Sequence, residues 1–210
     1  MRKLFLSLVL SMTALSASAV TVDRIAAVLD RQVLTVSEVS QMVELRFFPR
    51  LAPTDDEHRR EVLEALIAQA LRYRDVERFG AQDITADAIE ARLQEIQRRF
   101  ATPEEFTAAL TRTELSLDEV RALIRRQLQV EAYIQERFAP LVFVQTEEIE
   151  EYYRGPWTTQ RRERGLTVPP LSQVQNEIRD ALRSQRLQTE IERWTTQLRA
   201  RANVDVYAWR

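Results

Sequence analysis

The segment Val22–Thr35 (VDRIAAVLDRQVLT) constrains this chain most, because it is an extended-looking apolar stretch ahead of a long succession of helical patterns. A two-stranded ribbon is marginal in water on its own, so a hairpin here needs a third strand or a helical cover. Val204, Asp205, Val206 and Tyr207 supply the candidate at the far end, alternating apolar and polar with β-branched and aromatic residues. The chain is therefore expected to be mostly α-helical, with its two ends paired in a small β-sheet.

The residues before this segment are set aside. Arg2 and Lys3 precede an apolar run from Leu4 to Leu15 and an Ala17, Ser18, Ala19 site, which reads as a secretory signal peptide over 1–19. The run falls short of the roughly 20 residues that span a bilayer, so a chain that does not span the membrane is expected after cleavage near Ala19. From Val20 onward, 28 basic residues face 32 acidic ones, which argues against a nucleic-acid partner. The chain has no cysteine and three glycines, leaving no thiol chemistry, disulfides or phosphate-cradling loops of the usual kind. No cofactor or metal is expected.

Thr35 or Ser37 can cap a helix carrying Val39, Met42 and Val43 that runs into Phe47, Phe48 and Pro49. Asp55 to Phe79 carries apolar residues at three- and four-residue spacing and ends at Gly80. A third helix starts near Thr85. Thr102, Pro103 and Glu105 form a capping box with a first-turn proline, and Ser116 with Glu119 repeats the device ahead of a long helix. Pro140 stops that helix, Leu141–Val144 is extended, and Thr146 opens a short acidic helix ending in Tyr152 and Tyr153.

Residues 154–170 (RGPWTTQRRERGLTVPP) hold two glycines, three prolines and an arginine cluster without apolar period, and read as a linker. The last helix, from Ser172 to about Ala202, changes phase. Val174, Ile178, Ala181 and Leu182 cluster about 150° around the wheel from Leu187, Ile191, Trp194 and Leu198. Either the helix bends, or its halves are buried against different partners; the second reading is preferred, with the Val174 half reaching past the main body.

The opening VDRIAAVLDRQVLTVSEV, the TEEIEEYY close of the helical middle and the final VQNEIRDALRSQRLQTEIERWTTQLRARANVDVY together resemble the SurA family of exported chaperones. The resemblance implies a helical chaperone module over 20–153, completed by a helix and strand over 171–210. Family members usually carry parvulin-type prolyl isomerase domains at the place where 154–170 stands, and the chain's single histidine, His58, reads as a solvated residue on the polar side of a helix start. Isomerase activity is accordingly not expected.

The resemblance further implies a periplasmic, ATP-independent holdase for unfolded outer-membrane or other exported polypeptides. The alternatives are residual isomerase activity or a dedicated assembly factor for one envelope partner. Phe47, Phe48, Leu51, Tyr152, Tyr153, Trp157, Val174 and Ile178 are the candidate client-binding residues, each with ordinary core or linker packing as the competing explanation. Self-association through the exposed half of the last helix is a further possibility.

Overall fold

A computed structural model describes residues 23–207, so the expected signal peptide lies outside the described residues. Strands β1 (Ile25–Leu29) and β2 (Gln32–Thr35) form an antiparallel hairpin, and β3 (Val204–Val206) pairs antiparallel with the other edge of β1, giving the order β2-β1-β3. The turn works because Asp30 accepts a left-handed conformation, φ 51°, which its short polar side chain tolerates better than a branched one does.

Asp30 also fastens head to tail. Its N–H donates to the Asn203 carbonyl at 2.8 Å, its Oδ1 accepts the Asn203 N–H at 2.8 Å, and its Oδ2 accepts from Arg74, which also donates to the Leu29 carbonyl at 3.2 Å. These contacts, above all the Asn203 N–H, hold the Asp30 carboxyl below its ordinary value. The Tyr207 N–H donates to the Ala26 carbonyl at 3.0 Å and ends the pairing.

The helices follow from their caps. Thr35 and Glu38 form a capping box on α1 (Val36–Glu44), Thr54 caps α2 (Asp55–Phe79) and Thr85 caps α3 (Ala86–Gln97). Thr102 caps α4 (Pro103–Thr113), but the Glu105 carboxylate accepts the Ala101 N–H instead of closing the expected box on Thr102. Ser116 and Glu119 do close theirs on α5 (Leu117–Arg137). α1 ends in a Schellman motif with Arg46 in the left-handed position, φ 50°, where glycine is usual. The cost is offset by contacts: Arg46 sits 4.4 Å from the Phe100 ring centroid and donates to the Arg99 carbonyl, while Arg99 donates to the carbonyls of Arg46 and Phe47.

Ala139–Leu141 is a single 3₁₀ turn, so the extended run expected from Leu141 begins one residue later. Residues 142–145 lead to α6 (Thr146–Tyr152), which Gln145 and Glu148 cap. The expected linker is corrected by the structure. Tyr153–Trp157 forms a π-turn and Thr158–Glu163 is helical (α7), with Trp157 and Thr158 buried. Pro156 has no N–H to give the Tyr152 carbonyl, so the turn widens, and the Tyr153 carbonyl accepts both the backbone N–H of Thr158 and, at 2.5 Å, its hydroxyl.

α8 (Leu171–Arg201) runs unbroken for 31 residues, about 46 Å at 1.5 Å per residue. It serves three clusters in succession. Val174 and Ile178 pack with Val144, Ile149 and Trp157; Trp194 packs with Val76, Tyr133, Ile134 and Phe138; Leu198 and Ala202 reach the main core of the sheet and α1–α5. Two partners for two stripes is what the phase change predicts. Trp194 lies 5.5 Å and 5.3 Å from the ring centroids of Tyr133 and Phe138, and its indole N–H donates to Asp75 at 3.0 Å. Arg72 donates to the Thr195 hydroxyl at 2.7 Å, with burial pulling its guanidinium below its ordinary value.

His58 is also corrected. It is 5% exposed, one turn before Val62 on the buried stripe of α2. Its Nδ1 is 3.8 Å from Glu61 Oε2, too far to bond, and has no partner; that carboxylate instead accepts the Ala52 N–H at 3.2 Å.

Candidate functional site

Beside the sheet, the end of α1, the middle of α2 and the first half of α5 leave a groove of about 400 Å³. Each element contributes the edge of an amphipathic stripe that its neighbours do not fully cover. β2 supplies Leu34, α1 supplies Met42 and the following Phe47 and Phe48, α2 supplies Leu66, Ala70 and Tyr73, and α5 supplies Ala122 and Leu123. Phe47 and Phe48 meet edge to face, centroids 5.4 Å apart, which fixes the corner where the chain leaves α1.

The rim is charged, yet its charges are engaged within the chain. Glu38 accepts the Thr35 N–H at 2.7 Å and Glu119 the Ser116 N–H at 2.8 Å. Arg74 is held on Asp30, and Arg126 lies 5.6 Å from the Tyr73 ring centroid. Burial, reinforced by the nearby Glu77 carboxylate, pushes the Tyr73 phenol above its ordinary value. Gln41 donates to the Thr113 carbonyl at 2.9 Å and Gln127 to Glu131 at 3.1 Å. Gln69 differs: its side-chain nitrogen is buried in the groove wall with no acceptor.

The residues singled out from sequence divide between two places. Phe47 and Phe48 line this groove, whereas Leu51 stands 82% exposed beyond it. Tyr152, Tyr153, Trp157, Val174 and Ile178 come together elsewhere, in the cluster between α6, the π-turn and the start of α8. There Tyr153 and Trp157 stack at 5.4 Å, Val174 is 7% exposed and Ile178 is 0% exposed. Trp157, Val174 and Ile178 are interior, because the helical 153–163 segment covers them. The Val174 and Ile178 stripe of α8 therefore faces its own chain.

Leu34, Met42, Leu66, Gln69 and Leu123 were not singled out as site residues. Their signal was stripe width: Leu66, Ala70 and Tyr73 recur at i, i+4 and i+7 beside Leu63, Ile67 and Leu71, a face broader than one neighbour covers. Among the described residues no group of three or more His, Cys, Asp or Glu side chains is placed to hold a metal, and no helix is long and apolar enough to cross a membrane.

Architecture and groove together define a helical module whose own C-terminal strand finishes its sheet. No protein-family model matches the chain. It is 31% identical over 147 residues to Chaperone SurA of Pseudomonas fluorescens strain Pf0-1, a match that covers 67% of this chain and 34% of that protein. It is 29% identical over 141 residues to Chaperone SurA of Pseudomonas aeruginosa (65% and 34%), and 30% identical over 142 residues to that of Alkalilimnicola ehrlichii (64% and 32%). The chain carries a SurA-like module, and it spans about a third of the length of the curated relatives it matches.

Proposed function

We propose that this chain is an exported, periplasmic holdase that binds unfolded outer-membrane and similar polypeptides transiently, in the groove between α1, α2 and α5. The observation that carries the reading is the apolar floor formed by Leu34, Met42, Phe48, Leu66 and Leu123 under a rim whose charges are already engaged. Such a surface takes up apolar side chains from many sequences, and the cost of ordering a flexible client keeps affinity modest, which suits release without ATP. The resemblance to proteins named as chaperones supports the same reading.

The proposal assigns the chain no catalytic turnover. A protease-coupled prolyl isomerisation assay on a short peptide checks this, and catalysis by the purified chain would contradict it. The holdase role is tested by diluting a urea-unfolded outer-membrane barrel protein into buffer with equimolar chain and following turbidity. Suppression for several barrel clients is expected, with Phe48→Asp and Leu123→Asp losing most of it while keeping their helical circular dichroism. Undiminished protection by both variants would place binding elsewhere, and protection of a single client would favour a dedicated assembly factor.

A further inference from the structure

The groove holds one polar feature that its own architecture leaves unfinished. Gln69 stands on α2 between Leu66 and Tyr73, and its side-chain nitrogen is fully buried without an acceptor. A buried donor left unpaired is unfavourable, so its retention here calls for a partner. Its neighbours do not need one. Gln41 and Gln127 are bonded within the chain, Glu38 and Glu119 close helix caps, Arg74 is held on Asp30, and Tyr73 lies between Glu77 and Arg126.

We propose that Gln69 is the groove's main-chain reader: it turns its amide toward a docked, extended and uncharged segment and donates to one of that segment's backbone carbonyls. This rests on the groove being the client site and names what that site selects. Charge complementarity decides the occupant. The rim carries three carboxylates, Glu38, Glu77 and Glu119, against two guanidiniums, Arg74 and Arg126, so it presents no strong field of either sign and a neutral stretch with apolar side chains fits. A backbone carbonyl is the acceptor that every such stretch carries, whatever its side chains. One amide donor therefore adds affinity without adding sequence preference, and β2, an edge strand of the sheet, runs along the same wall.

The test uses the full chain and a capped, fluorescein-labelled heptapeptide of Val, Tyr, Ala and Thr, read by fluorescence anisotropy. Gln69→Met keeps the side chain's length and removes the donor. It is expected to weaken peptide binding about fivefold to tenfold, while thermal stability stays equal or rises because the buried unpaired donor is gone. A purely structural Gln69 would lower stability and leave affinity alone. Replacing successive peptide amides by esters weakens the acceptor at one carbonyl at a time. One ester position should reduce binding to the wild-type chain and have no added effect on Gln69→Met.

Equal affinity of Gln69→Met and wild type, with Leu123→Asp impaired, would overturn the amide role and leave the groove reading standing. Indifference of binding to Leu123→Asp, or no binding of the peptide by the wild-type chain, would overturn both. Tighter, salt-sensitive binding of a Lys- or Glu-substituted peptide would overturn the preference for uncharged segments.

Discussion

Trp194→Ala is the sharpest test of how the tail is attached. The indole is buried between Tyr133 and Phe138, joining α8 to α5, and its N–H reaches Asp75 on α2. Truncating a buried Trp to Ala costs about 3–5 kcal/mol through lost burial and the cavity left behind. Asp75 is only part-buried, so water takes over its lost bond at no more than about 1 kcal/mol. A total near 4 kcal/mol is a large share of the roughly 5–15 kcal/mol that holds a domain folded. Urea unfolding followed by circular dichroism at 222 nm measures it. Trp194→Phe keeps an aromatic ring and should lose about 1–2 kcal/mol. A double-mutant cycle with Asp75→Ala should return a coupling of about 1 kcal/mol. A Trp194→Ala loss under about 1 kcal/mol would refute the argument that α8 is anchored through this side chain.

Ile178→Ala removes an interior side chain of the cluster between α6 and α8, and should cost about 2–5 kcal/mol with faster hydrogen exchange confined to 144–182. Asp30 gives a pH signature. Its carboxyl titrates below the ordinary 3.8 in the folded chain. The stability it adds is therefore present above that value and lost as pH falls through the lower folded value. The stability gap between wild type and Asp30→Asn should be flat near neutrality and close in acid, as urea midpoints measured from pH 7 to pH 2 will show. His58→Leu replaces a buried ring with an unpaired nitrogen by an apolar side chain. It should leave the melting temperature unchanged or raise it.

Much of this fold is legible in the residues because local chemistry states it. Gly80 closes α2, Ser116 with Glu119 opens α5, and the alternation Val204–Val206 marks the strand that returns to β1. The phase change in α8 leaves a bend or two burial partners open; the helix is unbroken, and its Val174 and Trp194 stripes pack in different clusters. What escaped was decided by tertiary structure. Gly155, Pro156, Pro169 and Pro170 read as punctuation. Yet Trp157 brings the segment down onto Ile178, and Tyr153 ties it back by donating from its hydroxyl to the Pro169 carbonyl at 2.8 Å. His58 reads as lying on the polar side of a helix start, yet it stands one turn before Val62 and the fold buries it with that stripe. The groove depends on how far α1, α2 and α5 stand apart, which no single helical pattern encodes. Phe47 and Phe48 were visible as a paired aromatic break, whereas Leu66, Gln69 and Leu123 became meaningful only when three stripes were seen to share one gap.

Site-specific photo-crosslinking tests the central claim most directly. A benzophenone side chain is placed at Leu123 in the groove wall or at Leu141, which is 73% exposed on the α5–α6 connection, and each chain is irradiated with an unfolded barrel protein. The account predicts adducts from position 123 that the uncharged heptapeptide competes away, with few from 141. Adducts from 141 that the peptide does not affect, with none from 123, would contradict it.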